Sequence, residues 1–155
     1  YAGLMIDADG NPRVIEFNCR FGDPETQPIM MRLKSDLGDL CSAAIRGVLN
    51  DSSVEWDPRP ALGVVLAAGG YPSNYDKGHA IHGLLTDQPK HTKIFHAGTA
   101  QKDDQVVTSG GRVLCVTALG DTIQDARDNA YNGVDTIQWQ DMLYRRDIGW
   151  RAIDR

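Results

Sequence analysis

Val14-Ile15-Glu16-Phe17-Asn18-Cys19-Arg20-Phe21-Gly22-Asp23-Pro24-Glu25-Thr26 is the stretch on which the reading of the chain turns. Its first half is a β-branched, alternating run, the pattern of a strand. A period of two sends Val14, Glu16, Asn18 and Arg20 to one side and Ile15, Phe17, Cys19 and Phe21 to the other. The second set is apolar enough to be expected in a core. The first lines up a carboxylate, an amide oxygen and a guanidinium, each roughly 6–7 Å from the next along the strand. Hard divalent cations such as Mg²⁺ take oxygen ligands from one or two carboxylates and from substrate phosphates. An Arg one pleat further on can grip phosphoryl oxygens as charge develops on them. A half-exposed strand with ordinary polar residues outward alternates in the same way, so the pattern alone leaves both readings open.

The following residues add a turn into a helix expected from Pro24 to Leu33, with Asp23 as N-cap and Pro24 as first helical residue. Such a helix start beside a metal and an Arg would favour an anion. Glu16 to Gln27, twelve consecutive residues, closely resembles the metal-binding strand and turn of the phosphoribosylamine–glycine ligases, the glycinamide ribonucleotide synthetase family of the ATP-grasp superfamily. The likeness runs along the whole chain and is strongest at 14–37, then 94–99, 108–120 and 144–153.

The resemblance implies an α+β fold in two parts. Residues 1–52 would be the C-terminal part of an ATP-grasp domain, built of antiparallel strands and helices. Residues 53–155 would be a small mixed α/β domain rich in antiparallel strands. It implies ATP-dependent ligation of glycine to 5-phosphoribosylamine through glycyl phosphate, with Mg²⁺ or Mn²⁺ held by Glu16 and Asn18. Arg20 would act on the transferring phosphoryl group, or else pair with Asp23 or Glu25. Asp23 would cap the helix, accept a hydrogen bond from an amino substrate, or both. Ser109-Gly110-Gly111-Arg112 is by itself a hairpin turn. The resemblance adds a place for the ribose 5-phosphate, where Gly110 and Gly111 let backbone amides approach an anion and Arg112 supplies a fork. His96 is a further candidate for that phosphate. Many ATP-grasp enzymes carry a second acidic ligand where this chain has Leu4 and Met5, and Asp7 stands nearby at the strand end. The adenine pocket would come from upstream domains of the same enzyme, so these residues alone are expected to bind nucleotide poorly and turn over nothing. The alternatives are a non-catalytic interaction module that keeps the metal strand and, against the Phe21 to Thr26 turn, a related carboxylase.

Composition limits the other classes. A net charge of −5, with no basic block, argues against nucleic acid as partner. Three widely spaced cysteines, Cys19, Cys41 and Cys115, lack the pairs of a disulfide framework or zinc site and suit buried thiols in the cytoplasm. No apolar run reaches membrane-spanning length. Opening on the strand-like Tyr1-Ala2-Gly3-Leu4-Met5-Ile6, the chain is expected to represent about the last third of a longer enzyme.

Taken in order, Tyr1 to Arg20 should form a hairpin turning at Asp9-Gly10. Leu37 to Leu49 should be a helix burying Leu37, Leu40, Cys41, Ala44, Ile45 and Val48. Strands are expected at Ala61–Ala68, Ile81–Leu85, Lys93–Ala97 and Val113–Ala118, with a hairpin at Asp103-Asp104. A helix from Thr122 to Ile137 should bury Ile123, Ala126, Ala130, Val134 and Ile137. Tyr71, Trp139 and Trp150 read as packing residues, and Arg145-Arg146-Asp147 as a self-paired surface.

Overall fold

The structure, a computed structural model, describes residues 1–153. Its centre is a three-stranded antiparallel sheet in the order β3 (Ala61–Ala67), β7 (Arg112–Leu119), β4 (Thr92–His96). The middle strand Arg-Val-Leu-Cys-Val-Thr-Ala-Leu is β-branched and apolar, and all of it past Arg112 is buried, as suits a strand covered on both faces. One face is covered by α3 (Ile123–Val134), whose Ala126, Ala130 and Val134 recur every fourth residue and are fully buried against Leu62, Val64, Leu66, Leu114 and Val116. Thr122 and Asp125 close a capping box at its start. The helix ends at Val134, and Ile137 reaches the same core from the turn beyond it.

The opposite face carries α1 (Thr26–Arg32). Gly63 makes room there: a β-carbon on it would lie 3.1 Å from Cys115 Sγ and 3.4 Å from Pro28 Cγ. The end of α1 is tied to the connector that follows, where Leu33 bridges Trp56 and the Asp57 amide donates to the Arg32 carbonyl at 2.7 Å. Asp57 itself is gripped by Arg59 at 2.7 and 2.9 Å, which holds its carboxyl well below the usual carboxylate range.

A register slip decides where one side chain goes. Leu66 faces Leu114 but Ala67 faces Arg112, leaving Val113 as an extra residue on β7. Such a bulge reverses the alternation beyond it. Val113 joins the core under α3, and Arg112 emerges toward the turn that carries Asp23, with which it pairs.

Two hairpins complete the chain. β5 (Thr99–Lys102) and β6 (Gln105–Thr108) meet at Asp103 and Asp104, both at positive φ, as the sequence led one to expect. β1 (Ala2–Ile6) and β2 (Pro12–Phe17) form a ribbon whose turn is closed by Asp7, which accepts from the Asn11 amide at 2.8 Å and the Asp9 amide at 3.1 Å. Those bonds, Asn11's first, hold the Asp7 carboxyl below its ordinary value and give it a turn-closing role.

Several expectations are corrected. Ile15 and Phe17 are exposed, at 64% and 76%, because among the described residues the ribbon is a two-stranded sheet with no further strand beside it. Cys19 and Cys41 are exposed, and only Cys115 is buried, where desolvation pushes its thiol up. The helix α2 (Leu37–Ile45) stops short of Leu49, with Gly47 at positive φ, and its apolar stripe faces outward: Ile45 is 88% exposed and Ala43 is the helix's one buried residue. Residues 81–85 do not form a strand. Ala80 and His82 make single bridges, to Val107 and Gln138, and Gly83 turns the backbone at positive φ against the Thr136 carbonyl. Trp139 is buried, while Trp150, at the start of α4 (Trp150–Ile153), is half exposed under Arg151. Arg145 pairs with Asp147 within its own run.

Candidate active site

Glu16 and Asn18 are placed by the ribbon's ladder. Gly3 pairs with Glu16 and Ala2 with Phe17, and the Tyr1 nitrogen and carbonyl exchange bonds with Asn18 at 2.8 and 2.9 Å. The ladder thus continues one pair beyond β2, and Glu16 and Asn18, two residues apart, share a face. Val14 does not share it, because Leu4 faces Val14 while Gly3 faces Glu16, leaving Ile15 as a bulge. Glu16 is exposed and Asn18 half-buried, with Asn18 Nδ2 buried and without a partner among the described residues. One carboxylate and one amide are the hard-oxygen donors that suit Mg²⁺ or Mn²⁺ when phosphates supply the rest. Among the described residues no three His, Cys, Asp or Glu side chains cluster to hold a metal by themselves. The donor set therefore fits an ion shared with a substrate and does not fit an all-protein cage.

Downstream of the ribbon the chain bends at Cys19–Arg20, and α1 begins at Thr26. The expected cap is absent: Glu25 is the N-cap, without a side-chain bond, and the Thr26 amide donates to the Gly22 carbonyl at 3.0 Å. Asp23 is instead drawn to Arg112, whose Nη2 lies 3.1 Å from its Oδ2 and whose Nη1 donates to its carbonyl at 3.1 Å. The expected anion site at the helix start is likewise not built: α1 is seven residues long and its first amide is taken.

Tyr1, Arg20, Phe21, Gly22, Asp23, Pro24, Glu25 and Arg112 line an open cleft of about 530 Å³. Three of the sequence-derived candidates, Arg20, Asp23 and Arg112, meet there. Arg20 has no carboxylate partner among the described residues, so the alternative pairing with Asp23 or Glu25 is not formed; its Cζ sits 5.8 Å from the centre of the Tyr1 ring.

Glu16 and Asn18, on the adjoining ribbon, and Gly110, Gly111 and His96 are not on the cleft wall. The Ser109 and Gly110 amides both donate to the Gly98 carbonyl, at 2.7 and 3.1 Å, so they do not form an anion cradle. The two chains cross so closely that a β-carbon on Gly98 would lie 2.6 Å from Gly110 Cα, while Gly111 is buried against Tyr71. His96 is exposed, with Nδ1 3.0 Å from Thr99 Oγ1. Sequence reasoning missed Tyr1, whose hydroxyl donates to Glu16 Oε1 at 3.2 Å. No local motif could have found it, since the contact exists only once the two strands are in register.

Residues 61–151 match the family model for the phosphoribosylglycinamide synthetase C domain, and residues 1–26 match that for the ATP-grasp (A) domain of the same enzyme. The chain is 63% identical over its full length to a phosphoribosylamine–glycine ligase of Escherichia coli O157:H7, of which it covers 36%. It is 63% identical, again with 36% of the relative covered, to one from Vibrio cholerae. A crystal structure of phosphoribosylamine–glycine ligase from Thermotoga maritima superposes with a TM-score of 0.74 at 37% identity, over 94% of this chain and 35% of that one. The chain spans about a third of the length of the curated relatives it matches. With a family model covering more than half of it, the chain belongs to the phosphoribosylglycinamide synthetase family.

Proposed function

We propose that this chain supplies the metal strand and part of the substrate cleft of an ATP-dependent ligase that joins glycine to 5-phosphoribosylamine, giving glycinamide ribonucleotide, ADP and phosphate in purine synthesis. The observation that carries the reading is the cleft in which Arg20, Asp23 and Arg112 converge beside a strand presenting Glu16 and Asn18 on one face. The names of the relatives give it its substrates.

Such a ligase needs little covalent help from the protein. The glycine carboxylate attacks the γ-phosphorus of ATP, ADP leaves, and the ribosylamine nitrogen then displaces phosphate from glycyl phosphate. What lowers the barrier is in-line positioning and neutralisation of charge. Glu16 and Asn18 would hold Mg²⁺ or Mn²⁺, which when bound neutralises charge on the nucleotide phosphates. Arg20, without a carboxylate partner, steadies the phosphoryl oxygens in transit. Asp23 faces the amino substrates as a hydrogen-bond acceptor. Arg112 takes the ribose 5-phosphate, projecting from the close crossing of Gly98 and Gly110. Upstream domains of the same enzyme would complete the nucleotide pocket. The free cysteines accord with a reducing cytoplasm, and no helix among the described residues is long and apolar enough to cross a membrane.

The test is turnover by the full-length gene product. ADP release should require both glycine and phosphoribosylamine and yield glycinamide ribonucleotide. Glu16→Gln should abolish it while leaving the melting temperature unchanged. Full activity in that variant rejects the metal role, and no dependence on glycine rejects the reaction.

A further inference from the structure

We propose that Tyr1 is a positioning residue that joins the cleft to the neighbouring metal strand, holding Glu16 through its hydroxyl and Arg20 through its ring. The inference rests on the function proposed above and adds to it a residue outside the set of Glu16, Asn18, Arg20, Asp23 and Arg112. Tyr1 stands opposite Asn18 in the ladder, and Gly3 opposite Glu16, so the four positions lie on one face of the ribbon. The position next to Tyr1 on that face, Gly3, has no side chain; a β-carbon there would come within 3.1 Å of Glu16 Cγ. That gap lets the phenol cross diagonally to Glu16, and its hydroxyl donates to Oε1 at 3.2 Å. The same ring carries the Arg20 guanidinium 5.8 Å from its centre and lines the cleft. One side chain therefore fixes a carboxylate from one edge and a cation from its face. Outer groups that orient a ligating carboxylate tune its affinity for the ion.

The two contacts make separable demands. Tyr1→Phe removes the hydroxyl and keeps the ring, and Tyr1→Leu removes both. In the full-length gene product, Mn²⁺ binding in the presence of ADP is read from the electron paramagnetic resonance signal of free Mn²⁺, beside kcat, KM for ATP and the melting temperature. For Tyr1→Phe the expected result is Mn²⁺ affinity weakened about 3- to 10-fold, with kcat within about twofold of wild type at saturating metal. For Tyr1→Leu kcat should fall by a further factor of about 3. Melting temperature should not change in the Phe variant. Glu16→Gln separates the proposal from the reading beneath it. If Glu16→Gln loses Mn²⁺ while Tyr1→Phe binds it as wild type does, Tyr1 has no positioning role and the metal assignment stands. If Glu16→Gln also binds Mn²⁺ as wild type does, both fall. A lower melting temperature in Tyr1→Phe with unchanged Mn²⁺ affinity makes Tyr1 merely structural and overturns the proposal.

Discussion

Arg112 grips Asp23 twice, through its carboxylate and through its carbonyl, both at 3.1 Å, across 89 residues of sequence. The contact binds the central sheet to the turn that enters α1, and it fixes one edge of the cleft. Both side chains are substantially exposed, at 41% and 49%, so solvent screens the pair. Its importance lies in geometry more than in stability.

Arg112→Met in the full-length gene product should therefore cost less than about 1 kcal/mol of stability by chemical denaturation. It should raise KM for phosphoribosylamine by about 10- to 100-fold, the loss of a charge-assisted contact to a phosphate, with KM for ATP unchanged. Equal KM values for phosphoribosylamine in the variant and wild type would remove Arg112 from the substrate's binding groups.

Leu66, on β3, is fully buried between the central sheet and α3. Leu66→Ala should destabilise by about 2–5 kcal/mol, from lost apolar contact and the cavity left behind. Urea unfolding followed by tryptophan fluorescence measures it. A cost under about 1 kcal/mol would mean that the sheet and α3 do not form the main core.

Asp57 gives the pH dependence a definite sign. Its carboxyl is lowered in the folded protein chiefly by the hydrogen bond from Arg59. The stability it contributes is complete above the unfolded carboxylate value of about 3.9 and is lost as pH falls toward the lower folded value. Between pH 5 and pH 3 the stability of wild type should accordingly fall more steeply than that of Asp57→Asn. Parallel curves would show that the Arg59 contact does not persist in solution.

What the sequence made legible follows the range of the interactions. The strand Arg112–Leu119, the Asp103-Asp104 hairpin and the Thr122 cap are set by neighbouring residues, and each stands where local pattern puts it. The stripe of Leu37, Ile45 and Val48 is equally regular, yet periodicity says only that a helix has an apolar face and not what covers it; among the described residues that face is exposed. The 81–85 run is apolar and short, and Gly83 at positive φ breaks it, which hydropathy alone does not reveal. At the site, the ordering of Glu16 and Asn18 needed only a period of two. The Asp23–Arg112 pair depends on a one-residue slip in β7, and the Tyr1 contact on the register of β1, so neither could be read before the strands were paired.

The most direct test is a crystal structure of the full-length gene product with Mn²⁺ and a non-hydrolysable ATP analogue, the ion located by its anomalous signal. An ion about 2.0–2.3 Å from both a Glu16 carboxylate oxygen and Asn18 Oδ1, and bridging to the analogue's phosphates, is the expected result. An ion bound to the phosphates through other residues, with Glu16 and Asn18 turned away from it, would contradict the metal-strand reading from which the roles of Arg20, Asp23 and Tyr1 follow.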